Sequence, residues 1–280
     1  MTVSDLVAAA GEALAPLYSP EEIRSVALRL AEHFDGVSSA AFYACRDTVL
    51  PSSDRIEEAL GQLAAGRPLQ YVLGCADFCG HRFKVREGCL IPRPETEELV
   101  SMIIDDYSGF RPDGGQFNIL DICTGSGCIA YSLAAAFPDA MVYGCDLSDD
   151  ALKIACRQRI RLPGARPVLF GADVKCPPPA GLPEFDVIVS NPPYVMEKER
   201  ASMRRNVLDY EPEMALFVPD DDPLVFYRAV RTWAAALLKK GGGVYLEVNE
   251  ALADETAALF PGSVVKRDIN SKPRFVIGRN

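Results

Sequence analysis

Residues 185–194 read Phe-Asp-Val-Ile-Val-Ser-Asn-Pro-Pro-Tyr, and they set how the rest of the chain is interpreted. The β-branched run at 187–189 predicts a buried strand. Pro192 and Pro193 cannot continue a central strand, because proline has no N–H to donate and its φ is fixed. The chain therefore leaves the sheet at Asn191, at the carboxyl end of the strand. Ligands bind at that edge in open parallel α/β sheets.

Strand patterns alternate with helix patterns on both sides of this stretch. We predict further strands at residues 119–122, 141–145, 168–171, 244–248, 264–265 and 274–277. Helical periodicity fills the intervals, as at 129–137 and 224–238. Strands that alternate with helices predict an α/β fold with a doubly wound sheet.

The first 74 residues carry a different pattern, without strand signals. Ser19, Pro20 and Glu22 form a helix start of the capping-box type, and apolar residues follow at helical spacing. We interpret 1–74 as a small N-terminal helical-bundle domain. Residues 75–92 are predicted to be a β-hairpin linker with a turn at Gly80, and 93–280 to be the α/β domain.

Net charge, cysteine spacing and histidine positions limit the classes of protein to which this sequence can belong. Lys and Arg number 29 against 39 Asp and Glu, a net charge of −10, which disfavours broad binding to phosphate backbones. The nine cysteines are scattered and form no Cys-x-x-Cys pair, which is typical of a reduced cytoplasmic protein. We see no signal peptide or membrane span, and the two histidines are too far apart in sequence to indicate a metal site.

Residues 121–127 read Asp-Ile-Cys-Thr-Gly-Ser-Gly, after one predicted strand and before a helix. Small residues there let the backbone approach a ligand closely at the positive end of the helix. The pyrophosphate of a dinucleotide is one possible ligand, with Ala130 tolerated in the third glycine position. A tight strand-to-helix turn without a ligand is the other interpretation of this loop alone.

Two acidic residues end the next two predicted strands. Asp146 lies about 20 residues after the glycines, where a carboxylate can accept both hydroxyls of a ribose. Asp173 ends the following strand and can accept from an adenine amine. Each position is also typical of a helix cap or turn. Three strand ends that each carry a candidate ligand-binding residue, in this order, indicate a cofactor site more specifically than any one of them does.

These features, in this order, resemble class I S-adenosylmethionine-dependent methyltransferases. The resemblance implies a Rossmann-like sheet and a tip at 191–194 that holds a planar amino or amide nitrogen. It also implies a set of cofactor-binding residues: Cys123, Thr124, Gly125, Ser126, Gly127, Asp146, Leu147, Asp173, Val174 and Asn191. A dehydrogenase would explain the glycine loop and Asp146, but it would give no role to the tip.

The Asn-Pro-Pro-Tyr tip suits methylation of a nitrogen whose lone pair is delocalised. The Asn191 side-chain oxygen and the Pro192 carbonyl can each accept one N–H, and both bonds strengthen as positive charge develops on nitrogen. Tyr194 offers a flat face to the planar group. We therefore predict Asn191, Pro192 and Tyr194 as catalytic residues, with Pro193 completing the substrate-binding tip.

The choice of nitrogen rests on a closer resemblance, to the bacterial release factor glutamine methyltransferases. It is carried by Gly-Arg-Pro-Leu-Gln-Tyr-Val-Leu-Gly at 66–74, Leu-Ile-Pro-Arg-Pro-Glu-Thr-Glu at 90–97, Tyr-Glu-Pro at 210–212 and Lys-Pro-Arg-Phe at 272–275. It implies S-adenosylmethionine as cofactor, S-adenosylhomocysteine as product, and the glutamine of the Gly-Gly-Gln motif in class 1 peptide chain release factors as substrate. It further implies a cytoplasmic monomer whose helical domain helps to grip the release factor, with no direct binding of nucleic acid or membranes.

Some positions depart from the family pattern. Cys123 stands where glycine is common, and the form Cys-Thr-Gly-Ser-Gly also resembles ribosomal protein glutamine methyltransferases, so that substrate stays open. A DNA or RNA amino methyltransferase is a more distant alternative. Val174 stands where an aromatic residue is common, which predicts weaker stacking on adenine. Arg93 and Glu95 are candidate substrate-binding residues or simple helix-entry residues.

Overall fold

The computed structural model describes residues 1–15, 17–110, 112 and 115–280, and the chain divides into two units. The first unit contains Met1–Cys75 and Arg204–Tyr210. The second unit contains Ala76–Met203 and Glu211–Asn280.

The helices and strands alternate along the second unit, whereas helices make up most of the first. The helices are α1 (Val3–Leu14), α2 (Pro20–Asp35), α3 (Ser39–Ala44), α4 (Ser53–Ala64), α5 (Leu69–Leu73), α6 (Pro94–Asp106), α7 (Cys128–Ala136), α8 (Asp149–Cys156), α9 (Arg205–Leu208), α10 (Val225–Leu237) and α11 (Ala253–Leu259). The strands are β1 (Cys75–Phe78), β2 (His81–Lys84), β3 (Asn118–Ile122), β4 (Met141–Asp146), β5 (Val168–Gly171), β6 (Phe185–Ser190), β7 (Val195–Met196), β8 (Phe217–Val218), β9 (Leu238–Glu247), β10 (Val264–Arg267) and β11 (Pro273–Arg279).

Among the residues that the structure describes, seven strands form the central sheet of the second unit, in the order β10-β11-β9-β6-β3-β4-β5. Strands β9, β6, β3, β4 and β5 pair in parallel, and β11 pairs antiparallel with both β9 and β10. The chain crosses from β5 at one edge back to β6 beside β3, so the strand order reverses there. A ligand crevice is expected at the carboxyl ends of the strands around such a reversal.

Both faces of the sheet are covered, which confirms the predicted doubly wound α/β fold. Successive residues of a strand point to opposite faces, and the core follows that alternation. Val187 and Val189 pack in one apolar cluster with residues of α6 and α7. Ile188, between them, packs in the other cluster with residues of α10. This burial on both faces explains why residues 187–189 of β6 are apolar without alternation.

The first unit has its own apolar core, built by residues of α1, α2 and α4 among others. Ser19 begins α2 as predicted, since its hydroxyl accepts from the Glu22 N–H while the Glu22 carboxylate accepts from the Ser19 N–H. The segment at 204–210 joins this unit through Tyr210, whose hydroxyl donates to the Ala65 carbonyl over 3.2 Å. Nothing in the sequence pattern predicts that this segment belongs with the helices.

One detail differs from the sequence-based expectation. The glycines at 241–243 lie inside β9, which begins at Leu238, and the pairing of β9 with β6 shifts register between Phe185 and Val187. A Cβ at Gly243 would come within 2.8 Å of the Tyr107 hydroxyl, so this close approach needs glycine. The hairpin of β1 and β2 places its Phe78 and Phe83 rings in the core of the second unit. The domain boundaries at 74 and 92 stay predictions.

Candidate active site

A cleft opens in the second unit at the carboxyl ends of β3, β4, β5 and β6. The predicted site residues that line it are Arg93, Cys123, Thr124, Gly125, Ser126, Asp146, Leu147, Asp173, Val174, Asn191 and Pro193. Among the described residues, the lining set does not include four others that the sequence predicted: Glu95, Gly127, Pro192 and Tyr194.

Asp121 holds the glycine-rich turn in place through hydrogen bonds from inside the core. Its Oδ2 accepts from the Thr124 hydroxyl at 2.5 Å and from the Ala130 N–H at 3.1 Å, so one oxygen joins the turn to the first turn of α7. The side chain is fully buried, and burial raises the pKa of Asp121 to about 7, against the opposing effect of both hydrogen bonds. The turn therefore presents its backbone to the cleft while its acid stays in the core.

The turn needs unusual backbone angles. Gly125 and Gly127 have φ of 55° and 81°, and a Cβ at Gly127 would meet the Tyr131 ring at 3.0 Å. Cys123 also has a positive φ, of 61°, a region that L-residues other than glycine avoid. The departure from glycine at this position thus places a side chain on a strained backbone.

Asp146 lines the cleft from the end of β4. Its Oδ2 accepts from the Gly125 N–H at 2.8 Å and its Oδ1 from the Ser148 N–H at 2.9 Å. Burial raises the pKa of this carboxyl, although both backbone bonds favour the charged form. The helix cap of α8 is Ser148, whose hydroxyl accepts from the Ala151 N–H. Asp146 is thus not the cap of this helix, and its carboxylate, which also accepts from the Leu147 N–H, keeps acceptor capacity for a ligand hydroxyl.

The adenine side of the predicted site contains an aromatic ring that sequence reasoning missed. Asp173 forms a turn, because its Oδ1 accepts from the Lys175 N–H at 2.9 Å. Val174 is buried beside it in the cleft wall. Phe226, from α10, lines the same cleft, with the Lys175 ammonium 5.7 Å from its ring centroid. Its position in sequence, 52 residues beyond Val174, carries no local signal.

The tip after β6 is held from two sides. The Ser190 hydroxyl donates to the Ile122 carbonyl over 2.7 Å and ties the ends of β6 and β3 together. The Asn191 Nδ2 donates to the Thr96 hydroxyl oxygen over 3.1 Å. The Tyr194 hydroxyl donates to Glu247 Oε1 over 2.9 Å, and burial raises the Tyr194 pKa. Asn191 therefore faces the cleft, while the Tyr194 hydroxyl is bound inside the protein.

The segment at 90–97 is tied to the segment after the tip by one carboxylate. Glu211, whose side chain is 1% exposed, accepts from the Arg93 guanidinium at 2.6 Å and from the Ile91 N–H at 3.0 Å. Glu95 lies in the first turn of α6, where an acid interacts favourably with the helix dipole. Sequence reasoning noted the Tyr-Glu-Pro motif but gave Glu211 no role.

Two further structural findings bear on the class of site. Among the described residues, no group of three or more His, Cys, Asp or Glu side chains is arranged to hold a metal ion. None of the helices in that part of the chain combines the length and apolar character that crossing a membrane would require.

Comparison with known proteins gives matches over most of the chain. Residues 5–74 match the PrmC N-terminal domain, and residues 119–209 match a methyltransferase domain. The release factor glutamine methyltransferase of Bacteroides thetaiotaomicron is 41% identical over 252 residues, covering 87% of this chain and 86% of that protein. The enzyme of the same name from Flavobacterium psychrophilum is 38% identical over 280 residues, covering 95% and 94%. Among solved structures, TrmN from Thermus thermophilus is 25% identical, with a TM-score of 0.41 over 63% of this chain and 47% of that one.

Proposed function

The chain belongs to the family of release factor glutamine methyltransferases, and from that premise we propose its reaction and the residues that perform it. The enzyme transfers a methyl group from S-adenosylmethionine to the side-chain nitrogen N5 of a glutamine. The substrate is the glutamine of the Gly-Gly-Gln motif in class 1 peptide chain release factors, and S-adenosylhomocysteine is the other product.

The observation that carries this proposal is the orientation of Asn191. Its Nδ2 donates to Thr96, which leaves its Oδ1 as the free end of the amide on the cleft side. An acceptor there suits a substrate nitrogen that carries hydrogens. The neighbouring Asp146 and glycine-rich turn supply the second half of the site, for a ligand with hydroxyl groups.

The cleft residues fit the cofactor by their chemistry. Asp146 would accept the ribose hydroxyls, and the turn at 123–127 would lie against the methionine portion, where close approach needs small residues. Asp173, Val174 and Phe226 would border the adenine. The bound cofactor supplies a methyl group on a sulfonium, which is already activated for displacement.

The protein must orient a poor nucleophile. Asn191 Oδ1 and the Pro192 carbonyl would each accept one N–H of the glutamine amide and so direct its lone pair toward the methyl group. Both acceptors interact more strongly with the developing cation than with the neutral amide, so they stabilise the transition state selectively. The proton leaves to solvent after transfer, and no general base is needed before it.

Labelled cofactor distinguishes the possible substrates. The protein is incubated separately with a class 1 release factor, the same factor with its motif glutamine replaced by alanine, ribosomal proteins, DNA and RNA. We expect label only in the unaltered release factor. Label in ribosomal protein alone would favour the substrate suggested by the Cys-Thr-Gly-Ser-Gly loop, and label in nucleic acid alone would contradict methylation of a protein glutamine.

The role of Asn191 is tested by Asn191→Ala. We expect kcat to fall by about 10²- to 10³-fold, as for loss of one transition-state acceptor, while the dissociation constant of the cofactor changes little. Asn270→Ala, at an exposed residue of the same unit, is the control and should match the wild type. A variant that unfolds would assign Asn191 a structural role instead, and a variant that retains full kcat would exclude it from catalysis.

A further inference from the structure

A buried carboxylate lies directly behind the tip. Glu247 ends β9, the strand that pairs with β6, and it is 1% exposed. Its Oε2 accepts from the Thr96 hydroxyl at 2.7 Å and its Oε1 accepts from the Tyr194 hydroxyl at 2.9 Å. One side chain thus holds a group on α6 and a group on the tip.

The bond to Glu247 determines how Thr96 can bond elsewhere. A hydroxyl has one hydrogen to donate, and a carboxylate can only accept. The Thr96 hydrogen therefore points at Glu247, and the Thr96 oxygen is left to accept from the Asn191 Nδ2 over 3.1 Å. The reversed amide would set the Asn191 oxygen against the lone pairs of Thr96. The row of hydrogen bonds from Glu247 through Thr96 to Asn191 consequently permits only one orientation of the Asn191 amide.

The geometry makes Glu247 an acceptor, because each of its two oxygens lies opposite a hydroxyl donor. Burial raises its pKa and the charge of Glu95 adds to that rise, while the hydroxyls of Thr96 and Tyr194 and the positive charge of Arg274 oppose it. Arg274 is itself fixed, because its Nε donates to Asp268 over 3.3 Å. A carboxylate with two hydroxyl donors and a nearby guanidinium has the partners that a buried charge requires.

The backbone of the tip has a separate support. Asn249 Nδ2 donates to the Tyr194 carbonyl over 3.1 Å and to Glu199 Oε2 over 2.8 Å, while its Oδ1 accepts from the Ala251 N–H. No sequence motif indicates a role for Asn249. It holds the chain at the end of the tip, so the row behind Asn191 acts on a fixed backbone.

We propose that Glu247 and Thr96 are positioning residues that fix the Asn191 amide with its oxygen toward the substrate. This inference rests on the proposed function, because it assigns these residues to the same methyl transfer. It adds a specificity: an oxygen at that place attracts the N–H groups of a glutamine and repels the carboxylate of a glutamate. The two residues would thus select an amide over an acid at the site.

The inference is tested by Thr96→Val, which keeps the shape of the side chain and removes the hydroxyl. We expect kcat to fall by at least about tenfold with an unchanged cofactor dissociation constant, because the acceptor loses its orientation. Thr96→Ser restores the hydroxyl and should recover most of kcat. Thr256→Val is the matched control, since Thr256 is also fully buried and its hydroxyl has no hydrogen-bond partner in the described part of the chain.

A competing peptide gives a readout that simple loss of packing would not move. A Gly-Gly-Glu peptide should inhibit the wild type weakly. In Thr96→Val the amide can turn its NH₂ toward the carboxylate, and inhibition by this peptide should strengthen by at least about fivefold. Unchanged kcat in Thr96→Val, equal loss in Thr96→Ser, or unaltered inhibition by the peptide would overturn the positioning role.

Side-chain NMR separates this inference from the proposed reaction. The Asn191 NH₂ signals, identified by their loss in Asn191→Asp, should exchange slowly in the wild type and faster in Thr96→Val. If the wild type methylates no release factor but shows this difference, the proposed substrate is wrong and the orientation stands. If it methylates the release factor and the signals of the two proteins do not differ, the orientation is wrong and the function stands.

Discussion

At the scale of single residues, the strongest local motifs predicted the groups that face the cleft. Asn191, Asp146 and residues 123–126 of the turn are read directly from neighbouring residues, whereas Gly127, Pro192 and Tyr194 were also predicted and do not line the cleft. The residues that support the tip are not read in this way, because Thr96 and Glu247 lie 95 and 53 residues from their partners on the tip, and only the strand order brings them together. One sequence signal was available for Glu247: it is a single acidic residue directly after the apolar run at 244–246. Buried strands rarely carry an unpaired charge, so such an acid indicates a partner elsewhere in the fold.

Phe226 gives a test at this scale. Val174 predicts weak stacking on adenine, but the Phe226 ring in the same wall can supply the missing flat face. We expect Phe226→Ala to raise the cofactor dissociation constant about three- to tenfold in calorimetric titration, with a smaller effect for Phe226→Leu. Equal affinity in all three proteins would show that the ring does not contact the cofactor.

At the scale of elements, the sequence pattern predicted most helices and strands of the sheet, because short apolar runs bounded by turn residues are typical of strands buried on both faces, as in β3 and β6. It misplaced the start of β9, where three glycines look like a turn. Glycine patterns do not distinguish a turn from a strand that passes close to other groups, such as the Asp186 carbonyl, 3.0 Å from a Cβ at Gly242. That distinction depends on tertiary neighbours.

Glu211 joins two loop elements that sequence reasoning treated separately. Removing its carboxylate in Glu211→Ala deprives Arg93 and the Ile91 N–H of their shared acceptor, at a cost of about 1–3 kcal/mol. We expect faster hydrogen–deuterium exchange in a peptide that covers residues 88–93. Glu213→Ala is the control, because its ion pair with Arg200 is on the surface and contributes little. Equal exchange in the two variants would refute this role for Glu211.

At the scale of the whole molecule, the two units differ in what they contain. Every residue that lines the cleft belongs to the second unit. The first unit has its own core, and it also has a groove lined by Arg24, Arg46 and the exposed ring of Tyr43. Arginine and tyrosine are enriched at protein interfaces. We therefore expect the first unit to help bind the release factor, whereas the residues expected to perform methyl transfer lie in the second unit.

Comparing a full-length release factor with a short peptide substrate tests whether the first unit contributes to substrate binding. In the double variant Arg24→Ala with Arg46→Ala, we expect KM for a full-length release factor to rise by at least about fivefold, because two guanidiniums that can pair with acidic groups are lost. KM for a short Gly-Gly-Gln peptide and the cofactor dissociation constant should stay at wild-type values, since no cleft residue is altered. Arg205→Ala, at a highly exposed arginine of the same unit outside the groove, is the control. A parallel rise for factor and peptide would mean that the groove acts on the cleft, and no rise for either would exclude it from substrate binding.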